Sequence, residues 1–233
     1  MTRSAPTLLA IPPLENGDQL TRVEFERRYE AMPQGKQAEL IEGVVYISSP
    51  VHHRSHGRPH AQIIGWLSAY RAAAPQVDLT DNATVRLDAE NEVQPDALLR
   101  LEPEHGGRSR VSEDDYIEGA PELIVEVAAS SASYDLREKL RVYRRNQVQE
   151  YVVWRVYDKA LDWFRLERGE YVRLQSADGI VRSQVFPGLW LLVDALLADD
   201  MAAVLRTLHN GTDTPEFKQF VRKLGEAGHG HSG

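Results

Sequence analysis

Cysteine is absent from this chain, so the sequence offers neither a disulfide framework nor thiolate chemistry. Long apolar segments are missing too. The longest apolar run near the start, Thr7–Ile11, is too short for a signal core and is followed by two prolines. We therefore expect a cytoplasmic protein with no membrane partner. There is also no P-loop and no G-x-S-x-G elbow, so no motif supports nucleophilic catalysis by a Ser-His pair.

Positive charge is in deficit, because 27 Lys and Arg residues stand against 35 Asp and Glu residues and the net charge is -8. A protein that coats nucleic acid is basic overall, so the balance argues against that class. It remains compatible with an enzyme that touches nucleic acid through a local basic patch. The 233 residues, 42% of them hydrophobic, are enough to bury a sizeable core.

The pattern along the chain predicts an extended N-terminal segment (1–19), one domain (20–210) and a C-terminal helix with a disordered tail (211–233). Short strands alternate with two or three helices, which indicates a mixed α/β sheet. The clearest local signals are a helix start, two glycine turns, an amphipathic helix and a strand followed by a helix. They are Thr21 with Glu24, Glu42-Gly43, Arg168-Gly169, Ile63 to Tyr70, and 121–128 with 134–146.

Three acids stand out because apolar residues surround them. Glu39 precedes Leu-Ile, Asp96 follows a proline and leads into Ala-Leu-Leu, and Glu126 lies inside an apolar strand. A buried carboxylate without a partner costs several kcal/mol, so it is expected to be paired, protonated or bound to a metal. The alternative for Glu126 is that strand alternation points it to water. Periodicity does not decide between the two.

Lys139 follows Asp135 by four residues on a predicted helix, in the order that favours a simple surface ion pair. The same segment is rich in arginine, which makes it a candidate for a phosphate-contacting surface on an acidic protein. These arginines are Arg137, Arg141, Arg144 and Arg145.

Four histidines lie close together in SPVHHRSHGRPH: His52, His53, His56 and His60. A zinc site is disfavoured here, because the stretch resembles a loop and offers no cysteine. His60 precedes the apolar face of the next helix by one turn, so it either faces a site or is a partly exposed helix residue.

Two further segments invite structural predictions. Residues 102–119 carry Gly106-Gly107 and an acidic run, which is typical of a solvated surface loop. Trp154, Trp163 and Phe164 are more aromatic residues than a small monomer needs to expose. We expect some of them to lie in the core and part of this region to be buried in a homodimer.

Five short segments follow one another in a fixed order: ELIEG (39–43), QPDALL (94–99), PELIVEV (121–127), YDLREK (134–139) and QEYVVW (149–154). Together they resemble the Uma-type restriction endonucleases, a bacterial branch of the PD-(D/E)XK nuclease superfamily. The resemblance runs from about residue 21 to residue 197. It implies a restriction-endonuclease-like mixed β-sheet flanked by α-helices, and a Mg²⁺- or Mn²⁺-dependent endonuclease that acts on DNA.

The resemblance also implies a set of catalytic residues. Asp96 matches the acid of the PD element, Glu126 matches the acid of the (D/E)XK element, and Glu39 matches an acid contributed earlier in the chain. Asp96 and Glu126 would hold the metal on neighbouring strands, with Glu39 as a further ligand or acting through a water. The superfamily's lysine, two residues after the second acid, is Ala128 here. The resemblance implies that this branch moves the function of that lysine to Lys139.

Lys139 would orient the nucleophile or stabilise the developing negative charge, with His60 and Asp135 as accessory residues. One alternative is a catalytically inactive nuclease-fold protein that acts as a nucleic-acid-binding or assembly module. Another is a structural partner protein with an acidic face. The intact set of acids and lysine favours the enzyme.

Overall fold

The structure of the protein, a computed structural model, describes residues 11–33, 36–48, 52–129 and 131–229. Its strands are β1 Ala38–Ile41, β2 Val44–Ile47, β3 Val77–Asp81, β4 Val85–Asp88, β5 Asn91–Val93, β6 Ala97–Leu101, β7 Arg110–Val111, β8 Ile117–Glu118, β9 Leu123–Ala128, β10 Glu150–Arg155, β11 Ala160–Glu167, β12 Glu170–Arg173, β13 Ile180–Arg182 and β14 Trp190–Leu192.

Helices precede and separate these strands, and the last three follow the final strand directly, so there are more helices than the two or three that the sequence predicts. They are α1 Arg22–Tyr29, α2 Arg58–Ala73, α3 Ala132–Tyr134, α4 Leu140–Arg145, α5 Val193–Leu197, α6 Met201–Thr212 and α7 Pro215–His229. Two wider π-helical segments, His53–Gly57 and Asp135–Lys139, precede α2 and α4, and a short 3₁₀ helix spans Pro103–His105.

The strands form two six-stranded sheets and a small two-stranded one. The first sheet has the order β2-β1-β5-β4-β8-β7 and the second the order β12-β11-β10-β9-β6-β3. Most neighbours are antiparallel, but β9 and β10 run parallel, as do β4 and β8. The predicted mixed sheet flanked by helices is therefore confirmed.

The local signals in the sequence correspond to real turns and caps. The hydroxyl of Thr21 accepts a hydrogen bond from the Glu24 N–H and begins α1. Glu42 and Gly43 both have positive φ, 51° and 74°, in the tight turn between β1 and β2. Such a two-residue turn matches the twist of the strands that it joins, and glycine adopts it without strain.

Two apolar cores lie on opposite sides of the second sheet. Leu123, Val125 and Val127 of β9 point into a core that α2, α6 and α7 cover. Ile124 and Ala128 point the other way, into a core shared with the first sheet and α4. All six residues of β9 are buried, so neither face of this strand meets water.

One sequence-based interpretation is wrong in this fold. Residues 102–119 are not only loop, because β7 and β8 extend the first sheet and Ile117 is buried. Trp154 and Trp163 are among the aromatic residues that lie in the core of the single chain, 4% and 1% exposed. The homodimer stays a prediction, without these tryptophans to support it.

Among the described residues, no helix is both long and apolar enough to cross a membrane. The division into N-terminal segment, domain and tail stays a prediction as well. The C-terminal helix expected within residues 211–233 is present as α7, and its Phe217 and Leu224 pack in the same core as α2.

Candidate active site

Glu126 lies in the middle of β9 and is only 5% exposed. It shares the strand face of Ile124 and Ala128, so the alternative that it points to water is wrong. Its Oε1 accepts hydrogen bonds from Lys139 Nζ at 2.9 Å and from the Tyr143 hydroxyl at 2.8 Å. Burial raises the pKa of Glu126 well above its ordinary value, and Lys139 offsets only part of that effect.

Lys139 is 4% exposed and bridges two acids from different sheets. Its Nζ lies 2.9 Å from Glu126 Oε1 and 2.9 Å from Glu39 Oε1. Burial alone would lower the pKa of Lys139, but Glu126 and Glu39 together raise it well above its ordinary value. No ion pair joins Lys139 to Asp135 in the described part of the chain. The surface-pair alternative is therefore wrong.

The widened helical turn explains why Lys139 does not pair with the acid four residues before it. Asp135–Lys139 is π-helical, so the four-residue spacing no longer places two side chains above one another as it does in an α-helix. Asp135 is also buried, 3% exposed, and burial raises its pKa to about 6, with Lys139 acting in the opposite direction.

Glu39 reaches the site from β1 of the first sheet and is 8% exposed. The same oxygen that meets Lys139 accepts a hydrogen bond from the Gln94 N–H at 2.8 Å. Gln94 comes just after β5, the neighbour of β1, so the first sheet fixes this carboxylate through its own backbone. The site thus spans the junction of the two sheets.

Asp96 directly precedes β6, which lies beside β9 in the antiparallel register that pairs Ala97 with Val125. Continuing this register by one residue places Asp96 opposite Glu126, on the same face of the sheet. Asp96 Oδ2 accepts the Val127 N–H at 2.6 Å. The expectation that the two acids occupy neighbouring strands agrees with this register.

His56 and His60 both contact Asp96. His56 Nε2 lies 3.0 Å from Asp96 Oδ1 and its Nδ1 lies 3.1 Å from the Val127 carbonyl oxygen. The hydrogen bond to Asp96, more than any other contact, raises the pKa of His56. His60 instead lies 2.9 Å from the Asp96 backbone carbonyl and 3.1 Å from Asp81 Oδ1, so it supports the loop before β6.

These side chains line one cavity of about 600 Å³. Sequence reasoning finds Glu39, Asp96, Glu126 and Lys139 there, together with His60 and Asp135. It misses two neighbours of the acids, Tyr143 and His56. Tyr143 follows Lys139 by four residues, and this spacing could have indicated a shared face. His56 has the same four-residue spacing from His60, and the two rings are stacked, but its partners on distant strands are not visible in the sequence.

The predicted phosphate-contacting helix is largely neutralised. Arg141 and Arg145 form ion pairs with Glu42, and Arg144 forms one with Glu170. The sequence shows the cluster of arginines but not the acids that meet it. This surface therefore has less free positive charge than the sequence suggests.

The donor atoms suit a hard divalent cation. Glu39, Asp96 and Glu126 offer carboxylate oxygens, which Mg²⁺ and Mn²⁺ prefer. Across residues 11–33, 36–48, 52–129 and 131–229, no hydrogen bond is found to the second oxygen of Glu39 or Glu126, which leaves both oxygens available to a ligand. In the same part of the chain, however, no three His, Asp or Glu side chains are already grouped as a metal site. The three acids therefore suit Mg²⁺ or Mn²⁺ by the type of their ligand atoms.

Comparison with known proteins agrees with this architecture. The model of the Uma2 family, described as "Putative restriction endonuclease", matches residues 23–194. The fold is similar to the crystal structure of "a putative nuclease belonging to DUF820" from Anabaena variabilis, with a TM-score of 0.53 and 11% sequence identity. The likeness covers 78% of this chain and 97% of the other, and at this identity it concerns the fold alone. No curated protein matches the chain.

Proposed function

Because the chain belongs to the Uma2 family, we propose that it is a divalent-cation-dependent endonuclease that hydrolyses phosphodiester bonds of DNA. One observation carries the proposal: Glu39, Asp96 and Glu126 line one cavity, and two of them meet a single buried ammonium, that of Lys139. Apolar residues of similar volume often replace buried ion pairs at no cost in stability, so packing alone does not require this arrangement.

Each residue has a distinct role in the proposed reaction. Asp96 and Glu126 would hold Mg²⁺ or Mn²⁺, with Glu39 as a further ligand or acting through a water. When bound, such a cation supplies a coordinated water of lowered pKa and neutralises charge on the phosphate. Lys139 remains protonated because its acidic neighbours raise its pKa. Its ammonium would then stabilise the negative charge that develops on the phosphate, or orient the attacking water.

The surrounding residues position these groups. The Val127 N–H and the His56 ring fix the two oxygens of Asp96. The Tyr143 hydroxyl fixes one oxygen of Glu126, and burial keeps that phenol protonated by raising its pKa well above the ordinary value. Groups held in this way need little reorganisation when charge develops on the substrate.

The test is a cleavage assay on DNA with Mg²⁺ or Mn²⁺, and with chelator. We expect the wild type to cleave only with a divalent cation, and Glu126→Gln to lower the rate by roughly two orders of magnitude or more. Glu122→Gln is the matched control. Glu122 is equally buried just before the same strand, at 2% exposure, but it binds the Leu101 N–H outside the cavity.

The control variant should retain its activity. A folded wild type that cleaves no DNA under any of these conditions would contradict the proposal and favour a catalytically inactive nucleic-acid-binding or assembly module. Equal rates for wild type and Glu126→Gln would remove this cavity as the active site.

A further inference from the structure

The acids of the proposed active site are recessed rather than displayed on a surface. Glu39 and Asp96 are each 8% exposed and Glu126 is 5% exposed, around a cavity of about 600 Å³. That volume is within the range of about 300–1,000 Å³ that is usual for small-molecule sites. A phosphodiester that reaches these carboxylates must enter the recess. A single strand is more flexible than a duplex, so it can bend to bring one phosphodiester into the recess more easily.

The recess also contains little positive charge with which to hold several phosphates. Its described lining includes four acids, Glu39, Asp96, Glu126 and Asp135, but Lys139 is its only Lys or Arg. The ammonium of Lys139 is already shared between two of those acids. Non-specific affinity for DNA comes mainly from Lys and Arg at phosphates. Contacts other than phosphate contacts must therefore contribute to binding here.

Tyr157 is placed to supply such a contact. It lies in the turn between β10 and β11 and lines the same cavity. Because β10 runs parallel to β9, with Arg155 opposite Ala128, this turn lies at the end of the strand that carries Glu126. The Val156 N–H donates to the Ala128 carbonyl at 2.9 Å and fixes the turn there.

Tyr157 is 65% exposed, and no hydrogen bond or ring contact is found for it in the described part of the chain. Burying aromatic surface against a ligand is favourable, and a nucleobase offers a flat face for it. In a duplex that face is covered by neighbouring bases, whereas an unpaired base is free to stack on a side chain.

We propose that the preferred substrate is DNA with unpaired nucleotides, and that Tyr157 stacks on the base beside the bond that is cleaved. The inference rests on the proposed nuclease function and names its substrate class. Tyr157 then sets specificity through binding, and the acids and Lys139 perform the chemistry.

Binding is measured by fluorescence anisotropy with a labelled single strand of about 12 nucleotides, within the usual range of site sizes, and with the duplex of the same sequence. Chelator prevents cleavage during the measurement. We expect the wild type to bind the single strand more tightly than the duplex. Tyr157→Ala should weaken single-strand binding by about 5- to 150-fold, the usual worth of one stacked base, and Tyr157→Phe should retain it.

Val172→Ala is the control. Val172 is another exposed side chain, 46% exposed, on β12, and it does not line the cavity. The affinity of the Val172→Ala variant for the single strand should equal that of the wild type. If Tyr157→Ala also binds the single strand like the wild type, or if the wild type prefers the duplex, the proposal is overturned.

A second substrate shows whether the ring contacts a base. Single strands in which one nucleotide carries no base keep every phosphate, and the baseless position is moved along the strand. At one position, removal of the base should weaken binding by the wild type about as much as the Tyr157→Ala substitution does. Removal of the same base should not weaken binding by the Tyr157→Ala variant any further. If removal of the base at every position of the strand lowers the affinity of the wild type and of the Tyr157→Ala variant equally, Tyr157 does not stack on a base.

The binding and cleavage results separate the two proposals. Single-strand binding that depends on Tyr157, without cleavage of any DNA in Mg²⁺ or Mn²⁺, would support the stacking site and contradict the nuclease. Cleavage of duplex DNA that is indifferent to Tyr157 would support the nuclease and contradict the stacking site.

Discussion

Replacing Lys139 by methionine tests whether the buried charge cluster is real. Methionine keeps a long unbranched side chain but removes the ammonium, so Glu39 and Glu126 would face each other without a cation. The side chains of Lys139, Glu39 and Glu126 are only 6%, 11% and 6% exposed, which leaves little water to screen the two acids. The variant should be much less stable than the wild type.

Removing one partner of a buried ion pair typically costs about 3–5 kcal/mol, because the remaining charge is left uncompensated. In a protein of this size each kcal/mol lowers Tm by roughly 2–4 °C. We therefore expect Lys139→Met to lose about 6–20 °C in Tm. Adding Glu126→Gln to Lys139→Met should recover part of the loss, because one of the two opposed carboxylates becomes neutral.

The assay is urea unfolding followed by circular dichroism, with thermal scans of the same samples. Lys218→Met is the control, since Lys218 pairs with Asp213 on the surface, where both side chains are largely exposed. Such pairs contribute little, so this variant should unfold like the wild type. Equal unfolding midpoints for Lys139→Met and Lys218→Met would refute the buried cluster.

Two further substitutions test a buried acid away from the cavity and a hydrogen bond within the candidate site. Burial, with the neighbouring Glu26, raises the pKa of Glu92 from 4.5 to about 7. The folded protein is therefore stabilised by the protonated form of Glu92 below about pH 4.5, and this stabilisation is lost as the pH rises to 7. The stabilisation that is lost is about 3 kcal/mol. The free energy of unfolding of Glu92→Gln, measured in urea between pH 5 and 8, should not show this loss. Tyr143→Phe removes the hydrogen bond to Glu126 and should cost about 1.5–3 kcal/mol in the same assay; an unchanged midpoint would contradict that bond.

The turns and the acids that line the cavity are visible in the sequence because these signals are local. A positive-φ turn requires particular residues at two adjacent positions, as at Glu42-Gly43. Glu126 is conspicuous because a charge interrupts an apolar run. Its burial could not be decided in advance, because β9 lies between two cores and is apolar on both faces.

The errors arise where partners are far apart in sequence. The arginines near residue 141 look unpaired until the fold brings Glu42 and Glu170 beside them. A regular α-helix would place Lys139 beside Asp135, and a single π-helical turn changes that partner. His56 meets Asp96 and Val127 through tertiary contacts, and its four-residue spacing from His60 does not reveal these partners.

The junction of the two sheets at the candidate site also bears on how the protein matures. Glu39 comes early in the chain and Lys139 much later, and their contact exists only after both sheets have docked. Contacts between such distant segments form late, since their loop-closure entropy must be overcome first. A partly synthesised chain or a folding intermediate would lack the complete set of acids and lysine. The proposed hydrolysis would therefore require the finished fold, and local separation of the sheets would abolish it before the rest of the protein unfolds.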